Sequence, residues 1–141
     1  MLLTRESLPQ TISDIAALDE LLCRPSQALI DDLRKIDGDI MILGVAGKMG
    51  PTLAGLAKAA VPERRVIGVA RFSDPAVKDW LQARGVETIN CDLLDEAAIN
   101  ALPKIPNIVF MAGRKFGAEG DLSLTWAMNS HVPALAAQAF A

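Results

Sequence analysis

The sequence predicts an α/β fold in which a parallel sheet is covered by helices on both faces. Four short runs do not alternate regularly between apolar and polar residues, and three of them, 40–43, 66–70 and 108–112, contain no polar residue, so we expect strands that are buried on both faces. Segments with helical spacing separate these runs, and such alternation predicts parallel strands joined by right-handed crossovers. The composition agrees with a packed core, because 51% of the 141 residues are apolar and 22% are charged.

The first 38 residues predict a helical arm that precedes the sheet. Apolar residues recur at helical spacing from Thr11 to Leu22. Ser26 is suited to cap a second helix that runs through Lys35, and Gly38 is suited to end it. We therefore assign residues 1–38 to an arm and residues 39–141 to the domain that carries the sheet.

Strands are expected at 40–43, 66–70, 86–89 and 108–112, with helices at 51–60, 75–84 and 96–102 and a last helix from Asp121 toward Phe140. We predict the spatial order 3-2-1-4, which is the first part of a Rossmann-like doubly wound sheet. Because such sheets usually carry about six strands, we expect the chain to be the front portion of a longer protein. The fourth strand is then expected to have an open edge.

Charge and composition argue against several classes of partner. Fourteen basic residues stand against 17 acidic ones, for a net charge of −3, and no run of Lys or Arg is present, so nucleic acid is not an expected partner. The apolar stretches are too short to cross a bilayer, and no secretory signal precedes them, which favours a cytoplasmic protein. Cys23 and Cys91 are widely spaced and His131 is the single histidine, so we expect no metal site.

A glycine-rich turn follows the first predicted strand directly. Gly44, Gly47 and Gly50 form a G-x-x-G-x-x-G pattern, and Pro51 opens the next helix. Such a turn needs a residue without limits on φ, lets the backbone approach a pyrophosphate, and presents free N–H groups at a helix N-terminus. An ordinary tight turn is the alternative, but the strand–turn–helix context favours a dinucleotide loop. The other residues assigned to it as cofactor contacts are Ala46, Lys48 and Met49.

The ends of the second and third strands bear on the choice of cofactor. An acidic residue at the end of the second strand usually binds the ribose of NAD, whereas an arginine there suits the 2′-phosphate of NADP. Arg71 and Ser73 stand there, so we favour NADP over NAD, although Asp74 could be the partner of Arg71. At the third strand, Asp92 could accept a hydrogen bond from adenine, while Asp95 is better suited to cap a helix.

Several segments occur in an order that resembles a known family. These are the glycine loop, Cys91-Asp92-Leu93, the stretch 107–113, and the stretch 129–135. Together they resemble the extended short-chain dehydrogenase/reductase superfamily, and within it the NAD-dependent epimerase/dehydratase group. The resemblance covers the chain from about Asp39 onward.

The resemblance implies a coenzyme, NADP or NAD, and residues that line its path. Leu93, Met111, Ala112 and Gly113 are the further residues assigned to cofactor binding, and the loop 114–117 would open toward the substrate. Asn129 matches a helix asparagine of the family, whose role is either structural or catalytic. The resemblance also implies a small-molecule substrate, most commonly a nucleotide sugar, in the full-length protein, and relatives of this kind commonly form homodimers.

The chain departs from the family at the residues that carry the reaction. The family uses a Tyr-x-x-x-Lys pair for proton transfer, and this chain contains no tyrosine. We therefore assign no catalytic residue and expect no turnover from these residues alone. In addition, Leu43 replaces a threonine of the family loop, Lys48-Met49 replaces an apolar pair, and Pro133 stands where glycine is more usual.

Two alternatives remain at this stage. Gly47-Lys48-Met49-Gly50 also resembles the loop of dihydrodipicolinate reductases, although the segments around Asp92 and Asn129 favour the first family. A dinucleotide-sensing regulator or a non-catalytic binding module would keep the glycine loop and lack the tyrosine. This last alternative is not an enzyme.

Overall fold

The computed structural model describes residues 1–114 and 120–141. Its elements, in chain order, are α1 (Ile15–Leu22), α2 (Gln27–Arg34), β1 (Ile40–Leu43), α3 (Gly50–Ala60), β2 (Val66–Ala70), α4 (Pro75–Ala83), β3 (Glu87–Asn90), α5 (Glu96–Asn100), β4 (Asn107–Phe110), α6 (Leu122–Trp126), a π-helical turn (Ala127–His131) and α7 (Val132–Phe140).

The four strands form one parallel sheet in the order β3-β2-β1-β4. In this register Ile40 lies opposite Val66 on one side and Asn107 on the other. The α/β class and the strand order 3-2-1-4 predicted from the sequence are therefore confirmed. Within the described residues, β4 is an edge strand of this sheet.

Each face of the sheet supports its own apolar core. Ile40 and Ile42 of β1 belong to the cluster that includes Leu81 of α4. Met41 and Leu43 point to the opposite face, because successive side chains of a strand alternate, and they belong to a cluster that includes residues of α5 and α7. All four β1 side chains are buried, which explains why this strand is a continuous apolar run in the sequence. The expectation of burial on both faces is wrong for β3, whose end residues Glu87 and Asn90 are exposed because it is an edge strand of the described sheet.

Several boundaries differ from the sequence-based prediction. Strand β3 lies at Glu87–Asn90 rather than 86–89, and α5 ends at Asn100 rather than at residue 102. The first helix begins at Ile15 rather than Thr11, because Asp14 Oδ1 accepts a hydrogen bond from the Ala17 amide at 2.8 Å and caps it. Strand β4 ends at Phe110, two positions short of the predicted end. The last helix is interrupted by the π-helical turn that separates α6 from α7.

The arm is joined to the sheet domain by packing and polar contacts. Both α1 and α2 contact α3, and the Glu20 carboxylate forms an ion pair with Arg84 at the end of α4. The Arg84 guanidinium also lies 3.6 Å from the centre of the Trp80 ring. Cys23 is buried, its thiol lies 3.6 Å from the Thr52 carbonyl oxygen, and burial raises its pKa, so it stays a thiol at neutral pH. No helix among the described residues is both long and apolar enough to cross a membrane.

The amino ends of the strands are tied together by polar side chains. The Arg65 guanidinium donates to both carboxylate oxygens of Glu87, at 2.9 and 2.8 Å, and lies 3.5 Å from Asp39. The Asn107 amide donates to the carbonyl oxygens of Asp37 and Asp39 at 2.8 and 3.0 Å. These contacts occupy one end of the sheet and leave the carboxyl ends of the strands for a binding site.

The Arg65–Glu87 pair predicts a pH-dependent contribution to stability. The Arg65 hydrogen bonds lower the pKa of Glu87 below its ordinary value of 4.5, so the stabilisation is present above that value and is lost as pH falls. Glu87→Gln should be slightly less stable than wild type to urea at neutral pH, and the stabilities of the two should converge as the pH falls well below 4.5.

Glu63→Gln is the matched control, because Glu63 forms no ion pair within the described part of the chain. This variant should follow wild type at both pH values. A difference between Glu87→Gln and wild type that persists unchanged at low pH would contradict the assigned role of the pair.

Candidate functional site

A cleft of about 360 Å³ opens at the carboxyl ends of all four strands. It lies where β2 and β4 flank β1 on opposite sides, which is the position where open parallel sheets bind ligands. Its volume falls within the range of small-molecule sites, roughly 300–1,000 Å³. The lining residues are Gly44, Ala46 and Gly47 after β1, Ala70 to Asp74 around the end of β2, Cys91 to Leu93 after β3, Met111 to Gly113 after β4, and Val77 and Met128 from helices.

The three glycines of the loop have different structural reasons to be glycine. Gly44 has φ +83°, and a Cβ there would lie 2.6 Å from the Ala112 amide nitrogen. A Cβ on Gly50 would overlap the Val45 carbonyl, so this glycine lets α3 begin directly against the strand end. A Cβ on Gly47 would meet only the Gly44 oxygen, at the ordinary contact distance of 3.5 Å. The fold therefore requires Gly44 and Gly50, whereas the protein itself leaves room for a side chain at Gly47.

The backbone of the glycine loop carries hydrogen-bond donors that have no partner in the described part of the chain. The Gly44 and Val45 amides both donate to the Val69 carbonyl, at 2.8 and 3.2 Å, which ties the loop to β2. By contrast, the amides of Ala46, Lys48 and Met49 donate to no group in residues 1–114 or 120–141. The loop leads into α3, whose N-terminal end carries a partial positive charge. This arrangement suits an anion such as a phosphate.

Three of the residues predicted from the loop do not line the cleft. Lys48 instead borders a separate hollow of about 290 Å³, together with Asp19 of the arm and Trp80 of α4. The Met49 side chain is 69% exposed, and Gly50 is buried by packing. Contact of Lys48, Met49 and Gly50 with a cofactor stays a prediction.

The end of β2 presents an arginine that has no acidic partner within residues 1–114 and 120–141. Arg71 and Ser73 line the cleft. The Asp74 carboxylate accepts a hydrogen bond from the Ala76 amide at 2.9 Å and caps α4. Among the described residues Arg71 forms no ion pair. The carboxylate that the sequence offered as an alternative partner is therefore used to start a helix.

The end of β3 divides two roles between two carboxylates. Asp95 Oδ1 caps α5, accepting from the Ala97 and Ala98 amides at 3.0 and 3.2 Å, as predicted. Asp92 lines the cleft beside Leu93, and its Oδ1 accepts from the Leu94 amide at 3.0 Å. Asp92 Oδ2 accepts no hydrogen bond from the described residues, so it is available to a donor on a ligand.

Asn129 holds the backbone that follows β4. Its Oδ1 accepts from the Arg114 amide at 2.8 Å, and its Nδ2 donates to the Arg114 carbonyl at 2.8 Å. The Arg114 guanidinium lies 3.7 Å from the Asp121 carboxylate, which caps α6. Of the two roles open for Asn129, the contacts show the structural one. Residues 115–117 of the predicted substrate-side loop lie outside the described residues.

The chemistry of the cleft suits binding. Burial raises the pKa of the Cys91 thiol, and the nearby carboxylates of Asp92 and Asp95 raise it further, so the thiol stays protonated at neutral pH. The described residues contain no cluster able to hold a metal ion. Arg71, Asp74 and Asp92 are the charged residues of the lining, and both carboxylates accept backbone hydrogen bonds.

Sequence reasoning assigned no cofactor contact to six residues of the described lining, which are Ala70, Phe72, Asp74, Val77, Cys91 and Met128. Ala70, Phe72, Val77 and Met128 border the cleft and give it apolar walls. Ala70 and Phe72 flank the predicted Arg71, so their position in the chain was a usable signal. Val77 and Met128 come from helices that the fold brings to the cleft, and no local pattern marks them.

No model of a known protein family matches the chain, and no curated protein matches it.

The glycine geometry predicts opposite outcomes for two substitutions in one loop. Gly50→Ala should destabilise the fold markedly, because its Cβ would overlap backbone atoms of Val45. Gly47→Ala should leave stability within about 0.5 kcal/mol of wild type, because its Cβ meets no close neighbour. Urea unfolding of the two variants measures both effects, and equal losses of stability would contradict this description of the loop.

Proposed function

We propose that this chain binds a nicotinamide dinucleotide across the cleft and prefers NADP(H) to NAD(H). The observation that carries the proposal is the glycine loop, in which Gly47 leaves space for a ligand and three backbone amides have no partner among the described residues. That loop borders a cleft formed by the ends of all four strands, so a phosphate at the loop and a base farther along fit one continuous site.

In this proposal the diphosphate lies against the loop at Gly47, where amides and the N-terminal end of α3 favour its charge. The adenosine half extends toward the ends of β2 and β3. There the free Oδ2 of Asp92 would accept a hydrogen bond from the adenine amino group, and Leu93 would supply apolar contact. The nicotinamide half would follow Met111 to Gly113 after β4.

Preference for the 2′-phosphate follows from the charge balance at the end of β2. A free ribose hydroxyl is usually held there by a carboxylate, and a 2′-phosphate is usually accommodated by an arginine. Asp74 caps α4 and Arg71 has no ion pair in the described chain. Arg71 is thus available for a phosphate, with Ser73 beside it as a neutral donor.

We further propose that the whole protein is an oxidoreductase similar to the NAD-dependent epimerase/dehydratase group of the extended short-chain dehydrogenases/reductases, acting on a nucleotide sugar or a related small molecule. The bound coenzyme would supply hydride transfer. The chain contains no tyrosine for the proton transfer of that group. In this proposal its residues bind and orient the coenzyme.

A second candidate is a non-catalytic dinucleotide-binding module that senses the coenzyme. Two observations favour it. The sequence contains no tyrosine. Among the described residues of the cleft, the Cys91 thiol stays protonated, and the carboxylates of Asp74 and Asp92 accept backbone hydrogen bonds. Both candidates share the binding site and the preference for NADP(H). They differ in whether a substrate is turned over.

Calorimetric titration of the chain with NADPH and NADH tests the shared part of the proposal. We expect NADPH to bind more tightly than NADH. Arg71→Ala should weaken NADPH binding by about 10- to 100-fold, the value of a charge-assisted hydrogen bond, and should change NADH binding far less.

Arg34→Ala is the charge-matched control, because Arg34 is exposed on α2 and lines no part of the cleft. It should leave the affinity for both nucleotides unchanged. NADH binding equal to or tighter than NADPH binding would remove the argument from Arg71, and binding of neither nucleotide would contradict the proposed function.

A further inference from the structure

The backbone that carries Arg71 is held by a side chain of the neighbouring strand. The last backbone hydrogen bond between β2 and β3 runs from the Cys91 amide to the Ala70 carbonyl at 3.0 Å. The carbonyl of the next residue after Ala70, which is Arg71, is bound by a side chain instead: Asn90 Nδ2 donates a hydrogen bond to it at 2.9 Å. This side-chain bond extends the contact between the two strands by one residue, to Arg71, which lines the cleft.

Phe72 fixes the other side of the same segment. Its φ of +47° makes it the one non-glycine residue with positive φ among the described residues, and an aromatic residue rarely adopts this conformation. The ring is only 9% exposed and packs in the core cluster that includes Val77 of α4. The chain therefore turns sharply after Arg71, and the buried ring keeps it there. Strained backbone of this kind concentrates at functional sites.

We propose that Asn90 is a positioning residue for Arg71 and thereby sets the discrimination between NADPH and NADH. This inference rests on the proposed function. Asn90 does not line the cleft, so it acts through Arg71 rather than on the ligand. Its amide fixes the carbonyl of Arg71 while Phe72 anchors the next residue. The backbone of a residue that lines the cleft and has no ion pair in the described chain is thereby held on both sides.

The discriminating quantity is the ratio of dissociation constants, NADH over NADPH, measured by calorimetry on the 141-residue chain. Asn90→Ala should lower this ratio about five-fold, which is the typical effect of one hydrogen bond. NADH binding should stay close to that of wild type, because the general shape of the cleft is unchanged. If Asn90 had a purely structural role, the substitution would weaken the binding of both nucleotides equally and leave the ratio unchanged.

Thr88→Ala is the matched control. Thr88 lies two positions before Asn90 on β3, and therefore on the same face of the strand. Its hydroxyl accepts an exposed hydrogen bond from the Gln82 amide at 2.9 Å. This variant also removes one side-chain hydrogen bond of β3, and it should keep the ratio of wild type.

A double-mutant cycle with Arg71→Ala completes the test. If Asn90 acts through Arg71, Asn90→Ala should have no further effect on the ratio once Arg71 is alanine. An unchanged ratio in Asn90→Ala, or an equal reduction with and without Arg71, would overturn the positioning role while leaving the proposed function intact. If wild type binds neither nucleotide, the proposed function fails and this role fails with it.

Discussion

The close approach of α3 to the end of β1 is the constraint on which the cleft depends. Helix α3 begins against Val45 so tightly that no Cβ fits at Gly50, and Gly44 turns with positive φ against Ala112 of the neighbouring chain segment. This packing fixes a loop whose inner amides cannot all be used within the described chain. These amides lie on exposed residues at the N-terminal end of a helix, a position that is well suited to an anion. The same packing that completes the fold therefore prepares the site.

Most of the fold followed from the sequence because its signals are local. Strands buried on both faces must be apolar throughout, and helices between them need caps, which Asp74 and Asp95 supply as predicted. The failures concern boundaries decided by single contacts. Asp14 starts α1 later than its apolar spacing suggested, and a π-helical turn interrupts the last helix where Asn129 bonds to Arg114. Neither contact has a periodic signature in the sequence.

The candidate site was predictable where residues follow strand ends in the chain. Parallel strands bring these positions to one edge, which is why Arg71, Asp92 and Ala112 line one cleft. Within the glycine loop, a residue's position in the chain did not indicate whether it lines the cleft. Lys48 borders a different hollow, together with Asp19. Asn90 was not predicted either. Its contact with the Arg71 carbonyl depends on strand register, which the sequence does not state.

A titration with NADPH, followed by two-dimensional ¹H–¹⁵N NMR, tests the central claim most directly. The signals to follow are those of the glycine-loop amides. The claim is that backbone amides of this loop receive the diphosphate, so the signals of Ala46, Lys48 and Met49 should shift progressively and saturate with the nucleotide. Unmoved loop amides at a nucleotide concentration that shifts signals elsewhere would contradict the account, because the ligand would then be bound without the loop.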